Sequence, residues 1–420
     1  MNNYDVLVVG GGASGCAFAY MAAKYGLKVL LIEQNTFLGG SITSSLVIPA
    51  MNISKNAINT EFYYKLYEEL EKYGGALTYQ DGNKGWFNPE LTKIVLDKML
   101  TDVKVDIIFD SYVDSIKDEL LSYIVTIGAN NLRHYPKKLL PSIETNSIVD
   151  ATGDAIICHM LNCEFLDGND KSQPKSLRFI MSGVNTNLFS KWIMEYDSDR
   201  EVTTSCNVDN HIMFSTAYTW DNNKKWALAP LFRDAIAANI ITEDDANYFQ
   251  IFTVAGTSDS VAFNCPRLID DKLSLTEAYI KGRASILRLS QFCKKYLPGF
   301  KNSYISSIAN SLGVRVSRRV KGKYVYTKDD LLQGKIFDTP VVISNYPIDI
   351  HSGEQNSSVL TKVEREYQLP VESLIVKNNL FVIGRCISAD FESQAALRVI
   401  PSCFSMGEGL AKYLAEVVFP

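Results

Sequence analysis

The chain has 420 residues, 46% of them hydrophobic, and its 42 Lys plus Arg against 47 Asp plus Glu give a formal net charge of −5. That length buries a large core and predicts two domains, and the near balance of charge offers no basic field, which sets aside nucleic acid or an anionic membrane as the main partner. Eight cysteines without a C-x-x-C pair or zinc-ligand spacing exclude a small disulfide scaffold and suggest no metal, so a cytoplasmic protein with a small-molecule partner is expected, its oligomeric state open.

The first predicted element is a strand through Tyr4-Asp5-Val6-Leu7-Val8-Val9. No basic n-region precedes it and no small-residue cleavage site follows it, so no signal peptide is expected. No apolar run approaches the roughly 18 residues that span a bilayer. A glycine turn, a helix over residues 14–25 and a second apolar strand over residues 28–32 complete a βαβ unit. Strands that read as continuous Val, Leu and Ile are buried on both faces of a parallel sheet, which predicts a doubly wound α/β fold. A helix beginning at Pro89 follows, then a strand through Val105, Ile107, Ile108 and Val113. Residues 122–127 and 133–140, with a polar turn at Asn130-Asn131, predict a small antiparallel meander. It returns to the sheet at Ser147-Ile148-Val149-Asp150. From Lys175 to Asp349 the composition turns aromatic and polar and the βα rhythm is lost, as expected of an inserted α+β cap or substrate domain. The rhythm resumes over residues 379–384, and a terminal helix is predicted from Pro401 to Val418. The first domain is therefore expected to be discontinuous, built from 1–174 and 350–420 around a Rossmann-like sheet.

Gly10-Gly11-Gly12-Ala13-Ser14-Gly15 has G-x-G-x-x-G spacing between a strand and a helix. Gly10 permits the tight turn, Gly12 lets the backbone approach a diphosphate, and Gly15 lets helix and strand pack closely. The helix N-terminus adds N–H groups and partial positive charge. Glu33 ends the second strand, 23 positions after Gly10, where a carboxylate would bond the ribose of a dinucleotide. Gly39-Gly40 then offers a second close backbone approach, as the longer FAD would require, although a plain loop would also read this way.

With these residues in hand, the chain resembles the FAD-dependent oxidoreductases built on the glutathione-reductase-type FAD fold, in four ordered places. They are Gly10 to Thr43, including Gly39-Gly40-Ser41-Ile42-Thr43; Val149-Asp150-Ala151-Thr152-Gly153-Asp154; Arg315 to Tyr324 with Asp349-Ile350-His351; and Gly384-Arg385-Cys386-Ile387-Ser388-Ala389-Asp390 with Arg398-Val399-Ile400-Pro401. The resemblance implies that Ala151-Thr152-Gly153-Asp154 forms a second cofactor segment. It implies that Arg385 and Asp390 reach the phosphate and ribityl portions, that Val113 contacts adenine through its backbone, and that Val399 and Ile400 offer N–H groups to the flavin edge. Arg398 belongs to the same track. The chain departs from the family pattern at Pro370-Val371-Glu372 and at Gly407-Glu408-Gly409-Leu410, the second expected to change only packing. No His or Cys falls between residues 39 and 45, so FAD is expected to be held non-covalently.

On the substrate side, Arg315, Arg318 and Arg319 are the candidates to face the flavin, because a guanidinium fork suits a carboxylate; structural ion pairing is the competing account for each. His351 is a candidate acid/base near neutral pH, against a purely structural role. The expected activity is FAD-dependent oxidoreduction by hydride transfer at N5 with a small organic molecule, anionic if the arginines face it. The alternatives are a flavin monooxygenase and a non-catalytic FAD-binding sensor.

Overall fold

The computed structural model describes residues 3–51, 53–78, 85–119, 121–130, 142–166, 172–219, 226–270, 272–351 and 358–419. Its central element is an eight-stranded sheet. The chain enters through β1 (Asn3–Val9), turns into α1 (Ala13–Lys24) and returns as β2 (Val29–Ile32). α2 (Pro89–Asp102) follows, its N-terminus capped by the Asn88 side chain, which accepts from the Glu90 and Leu91 amides. The single strand expected around residues 105–113 is two, β3 (Asp106–Ile108) and β4 (Ser111–Glu119). Asp110, at φ 52°, breaks it, and the next amide, Ser111 N–H, donates to the Glu33 carbonyl.

β5 (Ser122–Ala129) pairs antiparallel with both β4 and β6 (Ile143–Asp150), the meander's return to the sheet. The expected turn residue Asn131 and residues 133–140 lie outside the described residues. β7 (Ile375–Lys377) and β8 (Leu380–Val382) close the sheet, whose long path runs β7-β8-β6-β1-β2-β3. α3 (Phe391–Leu397) and α4 (Ile400–Tyr413) end the chain, with one further helical turn of π type over residues 414–418.

The register of this sheet decides where the site forms. Val9 pairs with Ile32 and with Asp150, and Asp150 pairs with Val382, all in parallel. The carboxyl ends of four strands are therefore level, and the segments after them meet in one crevice, the place where open α/β sheets bind ligands. α4 packs on α1 so closely that a Cβ on Gly407 would lie 2.3 Å from the Ser14 carbonyl oxygen. The departure expected to affect packing does so here. Its neighbour Glu408 is buried and accepts from the Phe62 amide at 2.9 Å, capping a helix that has no side-chain cap of its own.

A second sheet lies within residues 179–308. Its six antiparallel strands run in the order Tyr304–Ile308, Phe179–Ser182, Val261–Phe263, Tyr248–Thr253, His211–Thr219 and Thr203–Val208. Stacked Phe179 and Phe263, 4.1 Å between ring centroids, fill its inner face, and Phe249 meets Phe292 of the long helix Leu275–Tyr296 edge-on. One hydrophobic core joins this layer to the first sheet through residues such as Val6, Val8, Leu38 and Phe179. No helix of the described residues is long and apolar enough to cross a membrane.

Candidate active site

The first wall of the crevice is backbone. Gly10 sits at φ +104°, and a Cβ there would lie 2.5 Å from the Ala151 carbonyl oxygen, so only glycine makes this turn. Gly12 is different. Its φ of −73° and ψ of −176° suit any residue, and an added Cβ would meet nothing within 4 Å. Neither conformation nor packing accounts for glycine there, whereas an approaching diphosphate does, so the turn fits a dinucleotide on this chain's own geometry. Gly12 caps α1 without any side-chain hydrogen bond, and Ala13, Ser14 and Gly15 form the first helical turn. The dipole of a twelve-residue helix faces the same opening.

Glu33 is buried, and three donors hold its carboxylate: Gly11 N–H at 2.7 Å, Asn35 N–H at 2.8 Å and the Asn35 side-chain amide at 2.7 Å. Burial pushes its pKa up and these bonds oppose the shift. The Gly39-Gly40 pair continues the wall. Gly39 N–H donates to Gly11 O at 2.7 Å, and Ser41 and Thr43 follow in a short helix that Thr43 ties to Leu38 O. Val113, buried in β4 two residues beyond Ser111, lies at the Glu33 end.

The second and fourth resemblance segments are joined by Arg385. Its guanidinium donates to Asp154 Oδ1 at 2.5 Å, Ser317 Oγ at 3.3 Å and the Val314 carbonyl at 3.2 Å, while Ser317 Oγ donates to Gly153 O. Thr152 is fixed by Asp150, whose Oδ1 accepts from its amide and its hydroxyl, beside Ala151 at the end of β6. Gly384 begins the turn at φ +85°, near Ser14 Oγ. Asp390 caps α3: Oδ1 accepts from Ser393 and Oδ2 from the Lys328 amide. Both oxygens thus serve the protein. Val399 caps α4 with no side-chain hydrogen bond, and Ile400 opens the helix, so the positive end of its dipole is not met by a side-chain cap.

The three candidate arginines do not converge, which corrects their expected common placement. An irregular segment turns its side chains in different directions, and only Arg315 joins the site. Arg318 lies over the Phe165 ring at 5.9 Å, and Arg319 donates to the Ala389 carbonyl at 3.0 Å. Arg315 is instead buried among Arg178, Arg267 and Arg398, with Asp349 and His351. Its Nη1 donates to Pro174 O at 2.5 Å and Ser176 Oγ at 3.1 Å. Arg178 donates to Asn264 Oδ1 at 2.7 Å and to Ser45 O at 3.5 Å. Arg267 stacks on the Tyr248 ring with 3.3 Å between guanidinium carbon and centroid. Arg398 donates to the Asp349 carbonyl at 2.9 Å and approaches its carboxylate at 3.4 Å.

Burial, with repulsion from neighbouring guanidiniums, pulls Arg315 well below its ordinary pKa. Burial also brings Arg178 down to about 10, Tyr248 partly opposing and Arg267 and Arg398 adding to the fall. For Asp349, burial would raise the pKa, but the His351 hydrogen bond and the guanidiniums of Arg398 and Arg315 outweigh it and hold the group ionised. His351 is pushed down to about 2 by burial and then by Arg315, with Asp349 opposing. Burial and the Arg315 charge thus favour the neutral imidazole over the charged one. Its Nε2 pairs with Asp349 Oδ2 at 3.3 Å, which places its proton on Nε2.

Arg178, Arg267 and Tyr248 were not legible as site residues. The one available signal was a charge inside an apolar run, as at Leu177-Arg178-Phe179-Ile180 and Pro266-Arg267-Leu268-Ile269. The cluster borders the cofactor crevice, since Arg178 meets Ser45 just beyond the Ser41–Ser44 helix and Arg398 immediately precedes the α4 cap.

The family described as FAD dependent oxidoreductase matches residues 5–416. The chain is also similar to a digeranylgeranylglycerophospholipid reductase of Thermoplasma acidophilum, 55% identical over 42 residues that span 10% of this chain and 11% of that protein. Similarity to a dihydrolipoyl dehydrogenase of Trypanosoma brucei brucei is 39% over 74 residues, 17% of this chain and 15% of the relative. These matches leave most of both relatives' length uncovered. Among solved structures, the flavin-dependent brominase Bmp2 shares the fold at a TM-score of 0.50 and 12% identity, over 100% of this chain and 80% of that one. A geranylgeranyl bacteriochlorophyll reductase-like protein of Thermoplasma acidophilum aligns at 0.45 with 14% identity, over 100% and 79% of the two chains.

Proposed function

Because the chain belongs to the FAD dependent oxidoreductase family and FAD is its cofactor, we propose that it transfers a hydride between a small anionic organic molecule and flavin N5. When bound, FAD supplies the hydride acceptor or donor, and the protein's part is binding, orientation and electrostatics. The glycine turn, the α1 N-terminus and Ala151-Thr152-Gly153-Asp154 would hold the non-covalently bound cofactor at the level strand ends. The α4 N-terminus would favour negative charge on the ring.

The observation that carries the anionic part is the cluster of buried guanidiniums beside that crevice. Buried cations demand counter-charge, and a guanidinium fork orients a carboxylate. Arg178 and Arg315, whose printed acceptors are all neutral, bind and orient the anion in this reading. His351, neutral with its proton on Nε2, steadies Asp349, which in turn fixes Arg398. Arg318 and Arg319 hold structure. Eight free thiols support a reducing compartment, the cytoplasm.

Anaerobic mixing of the purified flavoprotein with a panel of carboxylic acids is the test. Bleaching of the flavin band by a carboxylate, and not by its ester or amide, is expected. Failure of every anion to reduce or reoxidise the flavin would sink this reading. NAD(P)H-driven oxygen consumption in its place would establish the monooxygenase, and a light- or redox-dependent change in partner binding without turnover would establish the sensor.

A further inference from the structure

Arg178 and Arg315 are 8% and 6% exposed. Every acceptor they meet among the described residues is neutral: Asn264 Oδ1 and Ser45 O for the first, Pro174 O and Ser176 Oγ for the second. Nη2 of Arg178, and Nε and Nη2 of Arg315, donate to no described residue. Asp349, the carboxylate within the cluster, is engaged by Arg398 and His351. Two buried guanidiniums thus keep unused donors and hydrogen-bond to no carboxylate among the described residues. Among the described residues, four guanidiniums, Arg178, Arg267, Arg315 and Arg398, share the one carboxylate of Asp349, a surplus that calls for more than one further negative charge. A monocarboxylate supplies one.

Resting on the reading that this cluster is the substrate's binding place, we infer that it takes a small dicarboxylate, one carboxylate on Arg178 and the other on Arg315. Planar forks match carboxylates two N–H groups at a time. The Arg267–Tyr248 stack, 3.3 Å from guanidinium carbon to ring centroid, lies beside the same two guanidiniums and offers them a flat apolar neighbour. Gly313 keeps the Arg178 guanidinium in place by having no side chain: a Cβ there would lie 2.7 Å from Nη1.

The test titrates the oxidised, FAD-loaded protein with malonate and succinate, with acetate and propionate, and with inorganic phosphate, followed by calorimetry and by the flavin spectrum. The dicarboxylates are expected to bind more tightly than the monocarboxylates by on the order of 10- to 100-fold, the worth of one charge-assisted pair. That ratio should fall to about one in Arg178→Met and in Arg315→Met, since each removes one charge partner. Equal binding of the two acid classes to the wild-type protein overturns the inference whether or not either variant folds. Tighter binding of phosphate overturns it, as does release of FAD on adding a dicarboxylate, which would assign the cluster to the cofactor's diphosphate. Because the titration needs no turnover, tight dicarboxylate binding without flavin reduction would leave this inference standing and sink the proposed reaction. Rapid reduction by a monocarboxylate alone would do the reverse.

Discussion

The cofactor crevice and the arginine cluster adjoin, yet they are built in opposite ways. The crevice is made of backbone: consecutive glycines, two helix N-termini without side-chain caps, and strand ends held level by sheet register. The cluster is made of side chains from residues 178, 267, 315 and 398, placed by four separate parts of the chain. Backbone sites need particular residues at fixed spacing, because glycine alone tolerates certain torsions and close approaches. Side-chain sites need only that charges end up together after folding. The contrast predicts that a side chain added at the glycine turn costs cofactor binding more than stability, and that in the cluster electrostatics governs stability.

The largest expected effect tests the cluster. Asp349→Ala removes the carboxylate beside Arg398 and His351, and breaking such a buried pair costs about 3–5 kcal/mol. Urea unfolding should show that loss while flavin content per folded molecule is kept. A loss under about 1 kcal/mol would mean that the cluster behaves as a solvated surface, and the contrast fails.

Next in size is a response to acid. His351 is neutral in the fold, pushed down to about 2, and has an ordinary value near 6.5 when unfolded. The unfolded chain therefore binds the extra proton first. The stability tied to this group is complete above pH 6.5 and falls as pH drops toward 2, at about 1.4 kcal/mol per unit. Between pH 6.5 and 5 about 2 kcal/mol should disappear, and His351→Gln should flatten that slope. An unchanged slope in the variant would show that this imidazole is not held neutral.

The smallest effect on stability comes from the crevice and sharpens the comparison most. Gly12→Val places a side chain in open space at permitted torsions, so thermal unfolding of the FAD-free protein should move by no more than about 0.5 kcal/mol. Flavin absorbance in the purified variant should nonetheless be lost. Retention of full flavin would remove Gly12 from the cofactor's path.

Legibility in the sequence follows the same division. The parallel sheet, the meander and the glycine turn were readable because continuous apolar strands and positional glycines are local signals. The break at Asp110 was not, since the apolar residues on either side of it read as one strand and one positive torsion leaves no apolar signal. Arg315, Arg318 and Arg319 read alike as a basic run, and only tertiary packing separates the one within the cluster from the two that meet Phe165 and Ala389. His351 was recognisable as a titratable group, but its charge state depends on Arg315 and on burial, neither of which is local in the sequence. Glu408 stood out as a departure from the family pattern, and its role in holding the amide of Phe62 required a partner from a distant helix.

The pairing of β6 with β8 has a consequence for how the protein is made. Asp150 leaves the ribosome 232 positions ahead of Val382, its neighbour in the sheet. The N-terminal βαβ unit and its glycine turn can form on the ribosome well before the strand that carries Gly384 and Arg385 exists. A nascent chain halted before β8 would present a half-built cradle with an unpaired strand edge, exposed to wrong partners. FAD capture at the complete cradle then waits on β8, and riboflavin-starved cells should accumulate chains unusually sensitive to proteases.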